Sequence, residues 1–199
     1  FADITSANVG KPFAIVLDKE VVALQLQRRD IQPFQVKVRC PAGYPAVIQT
    51  DPHPSSDSSR VFTTLYWLTC PALTRHLSRF ESEGWIPRLE ETIRTREPVR
   101  ESMNRLHQEY ADVRREAVGH TKLSMLRHTA PGTAASLETT GIGGVADFAH
   151  VKCLHAHAAY DLVRGGHPLF DAHPDLRMDL SNCTDCDRLT RPGVTPAAV

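Results

Sequence analysis

The chain has 199 residues, of which 41% are hydrophobic and 23% charged, and its 23 basic residues balance 23 acidic ones. This length fits one domain with short tails and is enough to bury a core without disulfide bonds. The zero formal net charge argues against a general attraction to nucleic acid or anionic lipid. No stretch reaches the ~20 apolar residues that a membrane span needs.

The first part of the chain predicts one helix and a β-hairpin. Residues 1–17 are predicted to form an N-terminal arm. Asp18, followed by an apolar run, predicts a capped amphipathic helix. The alternation of apolar and polar residues in Phe34–Arg39 predicts a strand. Turn residues follow it, and Ala46–Gln49 is predicted to return as the antiparallel partner.

The next elements are a third strand and a series of helices. A polar loop is predicted at residues 51–60, and the β-branched and aromatic run from Phe62 to Thr69 predicts a buried strand. Residues 128–144 are rich in Gly, Thr, Ala and Ser and are predicted to be an irregular connector. Helices are predicted over Pro71–Glu83, Ile86–Arg96, Pro98–Val118 and Val145–Arg164.

These elements predict an α+β fold, in which a small antiparallel sheet packs against several helices. The single domain is predicted to span residues 18–168. Residues 169–199 are predicted to form an irregular tail that carries the Cys183-x-x-Cys186 pair.

The cysteine content bears on the compartment. An odd number of cysteines in a chain without a secretory signal argues against a disulfide framework. The expected location is therefore a reducing intracellular compartment, either a bacterial cytoplasm or an organelle matrix. A first residue Phe1 rather than methionine is compatible with the loss of an upstream targeting segment. The five cysteines are Cys40, Cys70, Cys153, Cys183 and Cys186.

Cys40 and Cys70 have the same setting. Each ends a predicted strand, and a proline follows each of them. If the two strands are neighbours in one sheet, the thiols can meet at one edge, where paired thiolates suit zinc or an iron–sulfur centre. The alternative is that both are small buried side chains, since free cysteine packs as a hydrophobic residue.

The densest cluster of metal-ligand residues runs from His150 to His157. On a helix, three- and four-residue spacings share a face, so His150, Cys153 and His157 are predicted to project together. His155 points nearly the opposite way and can join only if the helix begins near it or is distorted. The alternative is a helix whose polar face carries histidines.

Two further possibilities are weaker. The Cys183-x-x-Cys186 pair is a second candidate metal site, which would need His167, His173 or the distant cysteines to complete it. Cys153 could also serve as a thiolate nucleophile beside His157, and Asp161 could orient the His157 ring. The Arg-rich helices offer only weak support for nucleic-acid binding, because solvated helix charge explains them more simply.

Three strings of the sequence resemble the signature blocks of a bacterial domain-of-unknown-function family, the one numbered five hundred and one. The strings are Cys40–Ile48, Thr63–Pro71 and Val151–His157. The resemblance covers roughly residues 18–168. It implies no reaction, because the family has no established activity. It adds weight to the residues inside the blocks, namely Cys40, Cys70, Cys153, His155 and His157.

The sequence also departs from the family pattern. Tyr160 stands where the family often has a further histidine, and His167-Pro168 stands where Asn-Pro is usual. These differences leave the metal-site interpretation in place but weaken any catalytic role inherited from the family.

The preferred hypothesis is a closed zinc site of three cysteines and one histidine, with an iron–sulfur cluster as the alternative cofactor. Such a site joins distant segments and stabilises the fold. The predicted function is an accessory or scaffold subunit that works with protein partners in a larger assembly. The alternative is a metal- or cysteine-dependent enzyme, hydrolytic or redox, centred on Cys153 and His157.

Overall fold

A computed structural model describes residues 12–27, 31–52, 62–181 and 185–186. The strands are β1 (Phe34–Arg39), β2 (Pro45–Thr50) and β3 (Tyr66–Leu68). The α-helices are α1 (Pro12–Leu26), α2 (Pro71–Ser82), α3 (Trp85–Thr95), α4 (Glu97–Val118), α5 (His120–Thr129), α6 (Pro131–Thr139), α7 (Leu154–Arg164) and α8 (Pro168–Ala172). Short 3-10 turns cover Ile142–Gly144 and Pro174–Leu176.

The three strands form one antiparallel sheet in the order β1-β2-β3. Phe34 pairs with Thr50 across the hairpin, and Val47 pairs with Leu68 on the other side of β2. The predicted α+β fold and the predicted hairpin are both confirmed. The third strand is shorter than the sequence indicates and begins at Tyr66. The Leu65 N–H donates to the Tyr110 hydroxyl, 2.7 Å away, while the Leu65 carbonyl accepts from the Thr50 N–H of β2.

The main core lies between the sheet and the helices, with α7 packed on β3. Three tyrosine rings mark its centre: Tyr66 of β3 stacks on Tyr160 of α7 with ring centroids 5.8 Å apart, and Tyr110 of α4 meets Tyr160 edge to face. Aromatic pairs of this kind add to the free energy of simple burial. These aromatic contacts hold α7 against the sheet, and α7 carries the candidate metal ligands His155 and His157.

The prediction that residues 128–144 form an irregular connector is wrong, because helix α6 occupies most of this segment. Pro131 sits in the first turn of this helix, where its missing N–H costs nothing. Ala134 and Leu137 pack against a second, smaller cluster of buried residues formed by Val118, Leu123 and Leu126. Tertiary packing therefore outweighs the loop-like composition of this segment.

Two helix starts also differ from the prediction. Helix α1 begins at Pro12 rather than at Asp18. Asp18 lies within it and forms an ion pair with Arg39, 2.6 Å away, which ties the helix to β1. Helix α7 begins at Leu154, nine residues after the predicted Val145. Most of the predicted loop at residues 51–60 lies outside the described residues.

Within the described ranges, no helix is both long and apolar enough to cross a membrane.

Arg114 of α4 is fully buried and has carbonyl oxygens as its partners. Its guanidinium donates to Leu137 O at 2.7 Å and Thr63 O at 2.9 Å. It also donates to Ser136 O, Thr140 O and Gly141 O. Most of these acceptors belong to the last turn of α6 and the residues after it, where the helix dipole favours a cation. One side chain therefore donates to five carbonyl oxygens, and for Leu137 O, Thr63 O and Thr140 O it is a side-chain donor in the interior of the fold.

Replacing Arg114 with methionine should lower the free energy of unfolding by about 3 kcal/mol or more, because the buried carbonyls of Leu137, Thr63 and Thr140 lose the guanidinium donor at once. Urea denaturation followed by circular dichroism measures the change. Arg115→Met is the matched control, since Arg115 is exposed and its ion pair with Asp112 lies on the surface. Equal stability of the two variants would contradict the structural role given to Arg114.

Candidate functional site

Three side chains that can bind a metal meet where α2 ends and α7 begins. Glu81 lies in the last turn of α2, Cys153 immediately precedes α7, and His155 lies in the first turn of α7. One donor atom from each lies within 4.8 Å of the other two. This group of Glu81, Cys153 and His155 is called the α2–α7 site below.

Cys153 and His155 face each other because Cys153 is not helical. Its backbone is extended, with φ −158° and ψ 122°, and the helix starts only at the next residue. The Cys153 Sγ atom therefore lies 3.4 Å from His155 Nδ1. The sequence predicted that His155 could join Cys153 only if the helix began near it, and α7 begins one residue before it.

Glu81 is the residue that sequence reasoning missed. Its Oε1 accepts a hydrogen bond from the Leu154 N–H at 2.7 Å and lies 3.3 Å from His155 Nδ1. A carboxylate at a helix N-terminus is favoured by the helix dipole and by the unpaired N–H groups there. No spacing in the sequence links Glu81 to the later cysteine and histidine, since the contact depends on how α2 and α7 pack.

The other side of the His155 ring is fixed by the protein. His155 Nε2 lies 3.2 Å from Thr74 O and 3.2 Å from Ser78 Oγ. A carbonyl oxygen can only accept, so Nε2 carries a hydrogen, and Nδ1 is the ring nitrogen that faces Cys153 and Glu81. The hydrogen bond with Cys153, and further the negative charges of Cys153 and Glu81, raise the pKa of His155 to about 9 against the opposing effect of burial.

A cavity of about 270 Å³ opens onto Cys153 and His155. Its wall is formed by β3 and the residues before it, by the turn at Gly143 and by the start of α7. The α2–α7 site is therefore reachable by a small molecule, although Glu81 and His155 are each only about a quarter exposed, at 26% and 23% of their side chains.

The prediction that His150, Cys153 and His157 share one helix face is wrong, because the first two precede the helix. His150 is exposed, with Nδ1 3.2 Å from the carboxylate of Asp147. His157 is fully buried, and its Nδ1 lies 2.9 Å from His167 Nε2. His155, rather than His157, is the imidazole beside the Cys153 thiol.

Cys40 and Cys70 lie at the end of the sheet where β2 begins. Both thiols are buried, and the Cys70 N–H lies 3.4 Å from Ala46 O. Because β2 separates β1 from β3, the two cysteines follow strands that are not neighbours, contrary to the premise of the prediction. Neither belongs to a group of three donors within 4.8 Å among the described residues. Their predicted metal role stays a prediction.

The second candidate site is described in part. Cys183 lies outside the described residues. Cys186 is buried, and its Sγ accepts a hydrogen bond from Gln25 Nε2 at 3.2 Å. The same amide nitrogen donates to Pro45 O at 2.8 Å, so Cys186 also lies near the start of β2. A metal at this pair stays a prediction.

The geometry defines the class of protein as an α+β domain with an open Cys/His/Glu site beside a small cavity. A family model described as Protein of unknown function (DUF501) matches residues 36–172. The chain therefore belongs to the DUF501 family, as the three signature blocks predicted. Neither the curated proteins nor the solved structures contain a match. The matched region includes the whole α2–α7 site and excludes Cys183 and Cys186.

Three buried histidines lie on the other side of α7. His107, His157 and His167 pack ring against ring between Phe148 and Phe170, with centroids 4.6–5.6 Å apart. The Leu169 N–H donates to His167 Nδ1 and the Ile142 N–H donates to His107 Nδ1, so both rings accept through Nδ1 as neutral imidazoles. Burial lowers the pKa of His107 to about 4 and that of His167 to about 3.

The stability of the domain should therefore fall on acidification. A histidine whose pKa is lower in the folded than in the unfolded state binds its proton preferentially after unfolding, so stability is lost as the pH falls from about 6.5 towards 4. Each such group contributes a slope of up to about 1.4 kcal/mol per pH unit in that range. Urea denaturation at pH 7, 6 and 5 measures the slope.

In His107→Asn the amide oxygen can still accept from the Ile142 N–H. The slope of the free energy of unfolding against pH should become shallower between pH 6 and 5, by the contribution of about one proton. His120→Gln is the control, because His120 is exposed and its replacement should leave the slope unchanged. A His107→Asn slope identical to that of the unchanged protein would contradict the assignment.

Proposed function

We propose that this protein binds zinc through Glu81, Cys153 and His155, and that the open position of the ion performs hydrolytic chemistry on a small molecule. The observation that carries the proposal is the spacing of the three donors. In tetrahedral zinc sites the bond lengths place neighbouring N, S and O ligands about 3.4–3.6 Å apart. The measured separations are 3.4 Å from Nδ1 to Sγ and 3.3 Å from Nδ1 to the Glu81 oxygen.

The surroundings of His155 support the same proposal. Histidines that bind metals usually donate their second ring N–H to a carbonyl or carboxylate, which fixes the tautomer and orients the ring. Here Thr74 O and Ser78 Oγ surround Nε2. The Leu154 N–H holds Glu81 in the same way, since it occupies one lone pair of Oε1 and leaves another for an ion.

The number and type of ligands favour zinc over the iron–sulfur alternative. Iron–sulfur clusters are held mainly by several thiolates, whereas zinc accepts thiolate, imidazole and carboxylate ligands alike. Three protein ligands also leave a fourth position open, as catalytic zinc sites do. A zinc ion bound there would act as a Lewis acid and lower the pKa of a bound water.

This open site differs from the closed four-ligand site on which the scaffold hypothesis was based. A closed site has no position for a substrate, whereas the α2–α7 site lies on the wall of a cavity. The enzymatic alternative is therefore the better supported of the two, with His155 in place of His157. The role as an accessory subunit with protein partners stays a prediction.

Purified protein should contain about one zinc ion per chain, as expected for a single three-ligand site. Elemental analysis by mass spectrometry after dialysis measures the content. Cys153→Ser, His155→Gln and Glu81→Gln should each lower it strongly, because loss of one of three ligands removes much of the binding free energy. Glu83→Gln is the matched control, two residues from Glu81 and exposed.

The same measurement on Cys40→Ser distinguishes this site from the one predicted at the sheet. Zinc content should remain at one ion per chain in that variant. Loss of zinc in Cys40→Ser with retention in Glu81→Gln would contradict the proposal and return the ion to the cysteines at the start of β2.

A second candidate function is catalysis by the Cys153 thiol without a metal. It is favoured by the position of Cys153 directly before the first turn of α7, with the His155 Nδ1 atom 3.4 Å from its Sγ. A thiol at a helix N-terminus beside an imidazole is a common arrangement for a nucleophile.

Alkylation by iodoacetamide separates the two functions. If the thiol acts as a zinc ligand, zinc should protect Cys153 by at least about tenfold in rate, and a chelator should remove the protection. Mass spectrometry of the peptide that contains Cys153 measures the rate. Rapid alkylation that is indifferent to both zinc and chelator would favour the metal-free nucleophile.

A further inference from the structure

The cavity beside the α2–α7 site has walls that are mostly apolar. Trp67 is half-buried, and its indole N–H is already donated to Thr64 O at 3.2 Å, so the ring offers hydrocarbon surface. Tyr66 is held by its stacking on Tyr160. The lining residues are Thr64, Tyr66, Trp67, Leu68, Gly143, Lys152, Cys153, His155 and Ala156.

Besides His155, Lys152 is the residue that brings a cationic group to the cavity wall. No carboxylate in the described part of the chain forms an ion pair with its ammonium group. The stem of Lys152 packs against Gly143, since a Cβ built on that glycine would lie 3.4 Å from Lys152 Cβ. Gly143 has a φ of +72°, a conformation that glycine adopts without strain. The turn therefore supports the lysine stem at the cavity wall while the ammonium stays exposed.

Charge balance shows which ligands this wall prefers. With a zinc ion at the α2–α7 site, the two positive charges of the ion are offset by the Cys153 thiolate and the Glu81 carboxylate. The charge that remains unmatched on the cavity wall is that of Lys152. An anionic group would gain from this lysine, while a cationic one would be repelled.

We propose that the cavity binds a small carboxylic acid with an aromatic or branched apolar body, whose body packs on Trp67 and whose carboxylate faces Lys152 and the open position of the ion. The proposal rests on the zinc-binding function proposed above and names the ligand class of that site. The volume of about 270 Å³ admits a single-ring compound, and aromatic walls favour such a ring.

Benzoate is the probe, and isothermal titration on the zinc-loaded protein is the measurement. Benzoate should bind at one site, acetate should bind at least about tenfold more weakly because it lacks the apolar body, and benzylamine should not bind. Lys152→Met should weaken benzoate binding by about tenfold while zinc content stays the same. Lys37→Met is the matched control, an exposed lysine on β1 that should leave binding unchanged.

The outcomes separate the two proposals. The ligand class is wrong, and the metal site is unaffected, if the protein contains one zinc ion per chain but does not bind benzoate. The same conclusion holds if benzylamine binds as tightly as benzoate. Benzoate affinity that is the same in Lys152→Met as in the unchanged protein also overturns the ligand class. Benzoate binding that depends on Lys152 supports the ligand class. A purified protein that contains no zinc and cannot be loaded with it overturns the metal site itself, before any titration is made.

Discussion

The contact between the Glu81 carboxylate and the start of α7 is the interaction on which the rest of the site depends. It satisfies the Leu154 N–H, which no turn of the helix can reach, and it brings a negative charge to His155. The partners are 73 residues apart in the chain, so the contact exists only because α2 and α7 pack against each other. The packing of the fold and the chemistry of the site therefore depend on the same carboxylate.

Helix α7 carries histidines in opposite electrostatic environments, two residues apart. His155 lies beside a thiol and a carboxylate, and these raise its pKa to about 9. His157 lies against the rings of His107 and His167, and burial, with the proximity of these two imidazoles, lowers its pKa well below the usual value. The surroundings of His155 therefore favour a positive charge on that side of α7. The buried trio instead has to stay neutral.

Much of the fold could be predicted from local sequence, and part of the site. The hairpin followed from alternation and turn residues, and α2, α3 and α4 followed from apolar periodicity and from Pro71 and Gly84. Cys153 and His155 were identified, but the face of α7 was assigned wrongly because nothing local showed that the helix starts at Leu154. Glu81 was missed because an exposed-looking helix glutamate gives no signal until its helix is packed. Residues 131–139 looked like a loop because their helix is stabilised by Leu137 and Ala134 packing, which composition does not reveal.

The buried Arg114 connects the interior of the fold to the cavity. Its guanidinium donates to Thr140 O and Gly141 O, which hold the chain at the entrance to the turn containing Gly143. The Gly141 N–H in turn donates to Val145 O at 2.8 Å, which closes that turn, and the Gly144 N–H donates to Gly141 O at 3.0 Å. Because Gly143 supports the stem of Lys152, the position of Lys152 depends on the carbonyls of Thr140 and Gly141, to which Arg114 donates from 26 and 27 residues away in sequence. A charge buried in the core is thus linked to a charge at the surface through one hydrogen-bonded turn, without any direct contact between them.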